Sequence, residues 1–147
     1  LSLHDALPIL VNLLQAHADL LQLRCGRPIT VTAVSARTKN KSRDIDLKNI
    51  HWHDDPSHLA QDPNVDVVCE LIGGSDGAAK QLVETALAAG KSVVTANKAL
   101  LAVHGAKLAA LAEADLITSA HNLIQLAKFS KATWHFCDRS SACLLRN

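Results

Sequence analysis

No methionine and no tyrosine occur in the 147 residues, and aromatic residues make up only 3%. A chain without Met does not open at an ordinary initiator, so the sequence reads as a piece whose first residue is not a biological start. The opening Leu1–Ile9 has neither a basic segment nor a small-residue cleavage pattern, which excludes a secretory signal there. A surplus of charge is missing too: 15 basic and 14 acidic residues leave a formal net charge of +1. Binders of nucleic acid or of anionic membranes need a strong basic excess, so neither is an expected partner. No apolar run approaches the roughly 20 residues of a spanning helix. Cys25, Cys69, Cys137 and Cys143 show no Cys-x-x-Cys spacing. At this low density they do not form a disulfide framework, and a cytoplasmic location is expected.

Apolar residues make up 48% of the chain and charged residues 20%, which suffices for a buried core. Between Leu10 and Leu23 the apolar positions trace a broad helical stripe, stopped by Gly26 and Pro28. Ile29–Arg37 is rich in β-branched residues and reads as a strand. Ile50–His53 reads as a short strand, and Asp55-Pro56 opens a short helix over Ser57–Ala60. Val65–Ile72 is apolar except for Asp66 and Glu70, as in a parallel strand covered on both faces. A helix over Ala78–Ala89, a strand at Ser92–Thr95 and a helical pattern from Ala99 to about Ala114 follow, with Gly105 as a break between two helices. This order implies right-handed crossovers and a doubly wound, mostly parallel α/β sheet. Such a fold opens on a strand and a glycine-rich turn, and both are missing before Leu10.

Three places carry chemistry. Glu70-Leu71-Ile72-Gly73-Gly74-Ser75 stands at the carboxyl end of a buried strand, where open α/β sheets bind ligands. Paired glycines let backbone N–H groups approach a ligand, although a plain tight turn has the same spacing. Glu70 itself reads as a polar anchor or a satisfied internal acid, with no assigned role. Thr95-Ala96-Asn97-Lys98 ends the next strand. Asn97 suits both a helix cap and a ligand contact. Lys98 sits where the helix dipole disfavours a cation, which makes sense opposite an anionic or carbonyl-bearing ligand; the alternative is a solvated lysine. Arg37 follows the strand whose corner meets the adenosine ribose in dinucleotide folds, and an Arg there accommodates a 2′-phosphate. Lys39 and Lys41 beside it read as solvated, and the short patch lacks the aromatics of a nucleic-acid site. His51 and His53 alternate on a short strand, but no carboxylate makes a metal-site spacing with them, so no metal is expected.

Glu-Leu-Ile-Gly-Gly at residues 70–74 and Thr-Ala-Asn-Lys-Ala-Leu-Leu at 95–101, at this separation, resemble homoserine dehydrogenase. The resemblance runs from about Leu10 to Ala114. It implies a truncated Rossmann-like NAD(P)-binding domain at 10–114, with 1–9 and 115–147 as irregular or mistranslated ends. The implied activity is the interconversion of homoserine and aspartate 4-semialdehyde, in the route to threonine, methionine and isoleucine. Gly73, Gly74, Thr95, Asn97 and Lys98 would line the nicotinamide end of the cofactor, with Lys98 as the catalytic residue. Arg37 would face the 2′-phosphate, making NADP the expected cofactor and NAD the alternative. The intact parent is expected to be a homo-oligomer. The family's Gly-x-Gly-x-x-Gly turn is absent, and neither Lys128 nor Lys131 sits in the motif of its second catalytic lysine. Little turnover is therefore expected of this chain, and an inert remnant or a non-catalytic dinucleotide module is the alternative.

Overall fold

Parallel strands covered on both faces must be apolar at successive positions, and three segments here meet that requirement. They are β1 (Thr30–Ala36), β3 (Val67–Leu71) and β4 (Ser92–Thr95). Because side chains alternate across a strand, each contributes to two cores. Ala33, Val68 and Val93 face one side, and Val34, Cys69 and Val94 the other. The computed structural model describes residues 6–39, 41–43, 45–116, 124–126 and 141–146.

On the first face lie α3 (Pro56–Gln61), α4 (Ala78–Ala88) and α5 (Lys98–Leu116). Their fully buried Leu59, Leu82, Val83, Leu87, Leu100 and Leu108 close the larger core. In α4 the buried positions 79, 82, 83, 86 and 87 form one helical stripe, as its sequence spacing requires. The second face is covered by α1 (Ala6–Ala16), whose Leu7, Val11 and Leu14 are spaced one turn apart and buried. Ile45, Leu47, Ile50 and Trp52 complete that smaller core.

Among the described residues the sheet has six strands in the order β2-β1-β6-β3-β4-β5, where β2 is His51–Trp52, β5 Ile124–Leu126 and β6 Ser141–Arg146. The pairs β1–β2, β3–β4 and β4–β5 are parallel. This matches the doubly wound order 3-2-1-4-5-6, with β6 in the position of the first strand. There it runs antiparallel to both neighbours, pairing Ala33 and Val68 with Leu144, and Ala36 and Leu71 with Ser141. The slot expected to be vacant is thus filled from the end of the chain. Backbone groups along β1 and β3 that an empty slot would orphan find partners in β6.

Several expectations change. The helix expected over 10–23 is two helices, α1 and α2 (Ala18–Cys25), bent by 71° at His17. The bend carries α2 away from the sheet, so it buries no residue and leaves Leu20 and Leu23 exposed. Among the described residues no single helix is long and apolar enough to cross a membrane. Gly105 does not divide α5, which continues from Lys98 to Leu116; one glycine weakens a helix by about 1 kcal/mol, too little to end it. The tail expected to be irregular after Ala114 supplies β5 and β6, because sheet edges recruit any extended segment able to complete the ladder. Residues 117–123, 127–140 and 147, with Lys128, Lys131 and Cys137 among them, and the opening residues 1–5 lie outside the described residues.

Candidate functional site

β1 and β3 are both antiparallel to β6 and β3 is parallel to β4, so the carboxyl ends of β1, β3 and β4 share one rim. Every candidate residue for ligand binding lies on that rim. The loop after β3 turns through Gly73 at φ 76° and Gly74 at φ 86°, a left-handed path that glycine adopts without strain. A Cβ at Gly74 would meet no atom within 4 Å, so the space beside it is open.

What fixes this loop is Glu70, fully buried in β3. Its Oε1 accepts the backbone N–H of Ile72 at 2.6 Å and of Gly73 at 3.1 Å. Its Oε2 accepts the Thr95 hydroxyl at 2.5 Å. The same hydroxyl oxygen accepts the Asn97 N–H at 2.9 Å. Asn97 then joins the two loops directly. Its Nδ2 donates to the Gly74 carbonyl at 2.6 Å, while its Oδ1 accepts the Leu100 N–H at 3.0 Å and so caps α5. Burying a carboxylate requires hydrogen bonds in place of water, and three donors supply them here.

Gly73, Gly74, Thr95 and Asn97 are therefore brought into one network. Thr95 and Asn97 are buried and their side chains are spent on the loops, which makes them positioning groups for the rim. Lys98 is exposed at the first position of α5, one residue beyond the cap. Arg37 is exposed just past β1, separated from the diglycine loop by the width of β6. A second tether acts on the outer side of the loop. Asp76 Oδ2 accepts the Ser75 hydroxyl at 2.8 Å, and Asp76 Oδ1 lies 3.1 Å from His104 Nε2 on α5. The Ser75 hydroxyl first, and His104 second, hold the Asp76 carboxyl below its usual range.

Two features escape the sequence. Glu70 is the hub, and its signal was an acid in an otherwise apolar strand just before a glycine turn that offers free N–H groups. The Ser35 hydroxyl in β1 is buried without a hydrogen-bond partner among the described residues, and nothing in its neighbourhood marks it in the sequence. The spacing of His51 and His53 offers no carboxylate in sequence, but the fold supplies one. Asp62 Oδ2 lies 3.4 Å from His51 Nδ1 and 3.1 Å from His53 Nε2. Asp62 ends α3, so the chain fold and not the sequence spacing brings it there.

Residues 9–136 match the family described as homoserine dehydrogenase, NAD binding domain. The homoserine dehydrogenase of Bacillus subtilis is 41% identical over 104 residues, 71% of this chain and 23% of that protein. Its counterpart in Pseudomonas aeruginosa is 44% identical over 101 residues, 69% of this chain and 23% of that protein. Among solved structures, the Thiobacillus denitrificans homoserine dehydrogenase superposes with a TM-score of 0.68 at 33% identity, over 78% of this chain and 25% of that one. The Staphylococcus aureus enzyme at pH 6.5 gives 0.68 at 27% identity, over 80% and 28%. The chain spans about a quarter of the length of the curated relatives it matches. A doubly wound sheet, a rim built from the loops after β3 and β4, and this match together show that the chain belongs to the homoserine dehydrogenase family, whose nicotinamide-dinucleotide-binding domain it carries.

Proposed function

We propose that this chain is the cofactor-holding part of a longer NADP-preferring enzyme that interconverts homoserine and aspartate 4-semialdehyde. The observation carrying the proposal is the Glu70–Thr95–Asn97–Gly74 network, which locks two strand-end loops into one surface beside Lys98. The positive-φ glycines and the open space at Gly74 fit a flat ring lying close to the main chain. Those features stand beside Lys98 and support a fit to the nicotinamide end. When bound, that ring supplies the hydride acceptor for the alcohol. Lys98 presents an ammonium able to polarise a carbonyl oxygen or to help move the hydroxyl proton. Arg37 presents a guanidinium, whose planar fork suits a phosphate, on the adenosine side of the rim.

The test is thermal unfolding of the chain in rising NADP and, separately, NAD. A ligand that binds only the folded state raises the midpoint with concentration over Kd. NADP is expected to stabilise more than NAD, and Arg37→Ala to erase the difference. No stabilisation by either at millimolar concentration overturns the proposal in favour of an inert remnant. Homoserine-dependent NADP reduction should be absent from this chain; turnover above a Lys98→Ala control would show the rim to be catalytically complete.

A further inference from the structure

On the flank of the sheet away from that rim, two imidazoles and a carboxylate converge. His51 lies on the edge strand β2 and His53 just beyond it, two residues apart, so an extended chain directs both to the same side. Their rings are in contact, with centroids 4.3 Å apart. Asp62 meets them from the end of α3, and one ligand atom from each of the three lies within 4.8 Å of the others. Two strands, β1 and β6, stand between β2 and β3, so the cluster is separate from the diglycine loop.

The two distances to the carboxylate suit a metal. Four-coordinate zinc with bonds of about 2.0–2.1 Å needs neighbouring ligand atoms about 3.4 Å apart. Here Asp62 Oδ2 is 3.4 Å from His51 Nδ1 and 3.1 Å from His53 Nε2. The carboxylate is already oriented, because its Oδ1 accepts the backbone N–H of Asn64 at 2.9 Å and the Asn64 side-chain amide at 3.1 Å. Outer hydrogen bonds of this kind fix ligand direction in metal sites. Lys91 donates to the main-chain oxygen of Asp62, leaving the side-chain oxygens to the histidines and Asn64. Its ammonium opposes a nearby cation, a repulsion that three direct ligands must outweigh. Access is open: the His51 side chain is 67% exposed, and it borders a cleft of about 450 Å³ that Asp62, Asn49 and Thr32 also line.

We propose that His51, His53 and Asp62 bind one divalent zinc-class ion, which clips the edge strand β2 to the end of α3. The ion takes the place of the protons that the two ring nitrogens share with Oδ2, and its fourth position is left to water. Imidazole and carboxylate ligands together favour zinc or cobalt over magnesium and calcium, which prefer all-oxygen sets.

The test is titration of the full chain with zinc chloride against a chromophoric chelator, repeated with cobalt chloride. One equivalent is expected to bind, cobalt giving the visible bands of a four-coordinate site, and zinc raising the unfolding midpoint. His51→Ala removes a largely exposed ring and leaves Asp62 its bonds to His53 and Asn64, so the variant keeps its fold and should bind at least about tenfold more weakly. Asp62→Asn should lose the site as well. Absence of saturable binding at one equivalent overturns the proposal. So does binding that His51→Ala leaves unchanged, since the ion then sits on other side chains.

Discussion

Thr95 and Glu70, 25 positions apart in the chain, share a 2.5 Å hydrogen bond inside the sheet, and through it the two loops of the rim become one object. The Thr95 hydroxyl donates to the carboxylate and accepts from the Asn97 N–H. Thr95→Val keeps the volume and removes both interactions, leaving a buried acceptor and a buried donor unpaired. Each orphan costs about 1–3 kcal/mol. The variant is expected to unfold at clearly lower urea and to lose any cofactor protection, whereas Thr95→Ser retains both. Equal midpoints for the valine and serine variants would show that the hydroxyl is not a joint.

The antiparallel seat of β6 is tested by removing one of its N–H groups. Leu144 pairs with Ala33 on one side and Val68 on the other. Proline has no N–H and belongs at edges, not between two strands. Leu144→Pro is expected to lower the urea midpoint by the equivalent of about 1–3 kcal/mol or more. Proline at Arg146, the last residue of the strand, should do much less. A Leu144→Pro protein as stable as its parent would remove β6 from the sheet.

Cys69 and Cys25 differ in reactivity by position. Burial pushes the Cys69 thiol up to about 12, while Cys25 is exposed at the end of α2. The thiolate is the reactive form, so alkylation at pH 8 followed by peptide mapping should find label on Cys25 and none on Cys69. The sign for stability follows. A thiol whose folded pKa is raised contributes stability that is complete below the unfolded value of about 9 and is lost as pH climbs toward 12. Replacing Cys69 with Ala should flatten that alkaline decline.

Gly105 gives a gain. It lies inside α5, and a Cβ there would meet no atom within 4 Å. Gly105→Ala is expected to raise stability by about 0.5–1 kcal/mol, read as a higher melting midpoint. A loss would mean that α5 is not continuous there.

The doubly wound class was legible because β3, β4, α4 and α5 announce themselves within single short windows. Val65–Ile72 is apolar nearly throughout, and Ala78–Ala89 keeps one clean helical stripe. What escaped depends on partners distant in sequence. Ser141–Arg146 carries no strand signature of its own and becomes a strand because β1 and β3 offer it paired edges on both sides. Asp62 joins His51 and His53 only after α3 has folded back on the sheet. Glu70 was visible as an oddity in an apolar run, but its role rests on Thr95, which the chain delivers one crossover later. Gly105 misled for the opposite reason: a local breaker signal was outweighed by the packing of Leu100 and Leu108 on either side of it.

The reversed direction of β6 changes what stands at the middle of the rim. In a doubly wound sheet the first strand leaves the sheet between its two neighbours and turns at once into a phosphate cradle. Here the chain arrives at that gap, between Ala36 and Leu71, on its way in at Ser141. A dinucleotide laid along this edge would cross, at its middle, the amino end of an arriving strand and not the carboxyl end of a departing one. Competition between mononucleotide halves and the whole dinucleotide measures what that reversal does to the grip at the centre.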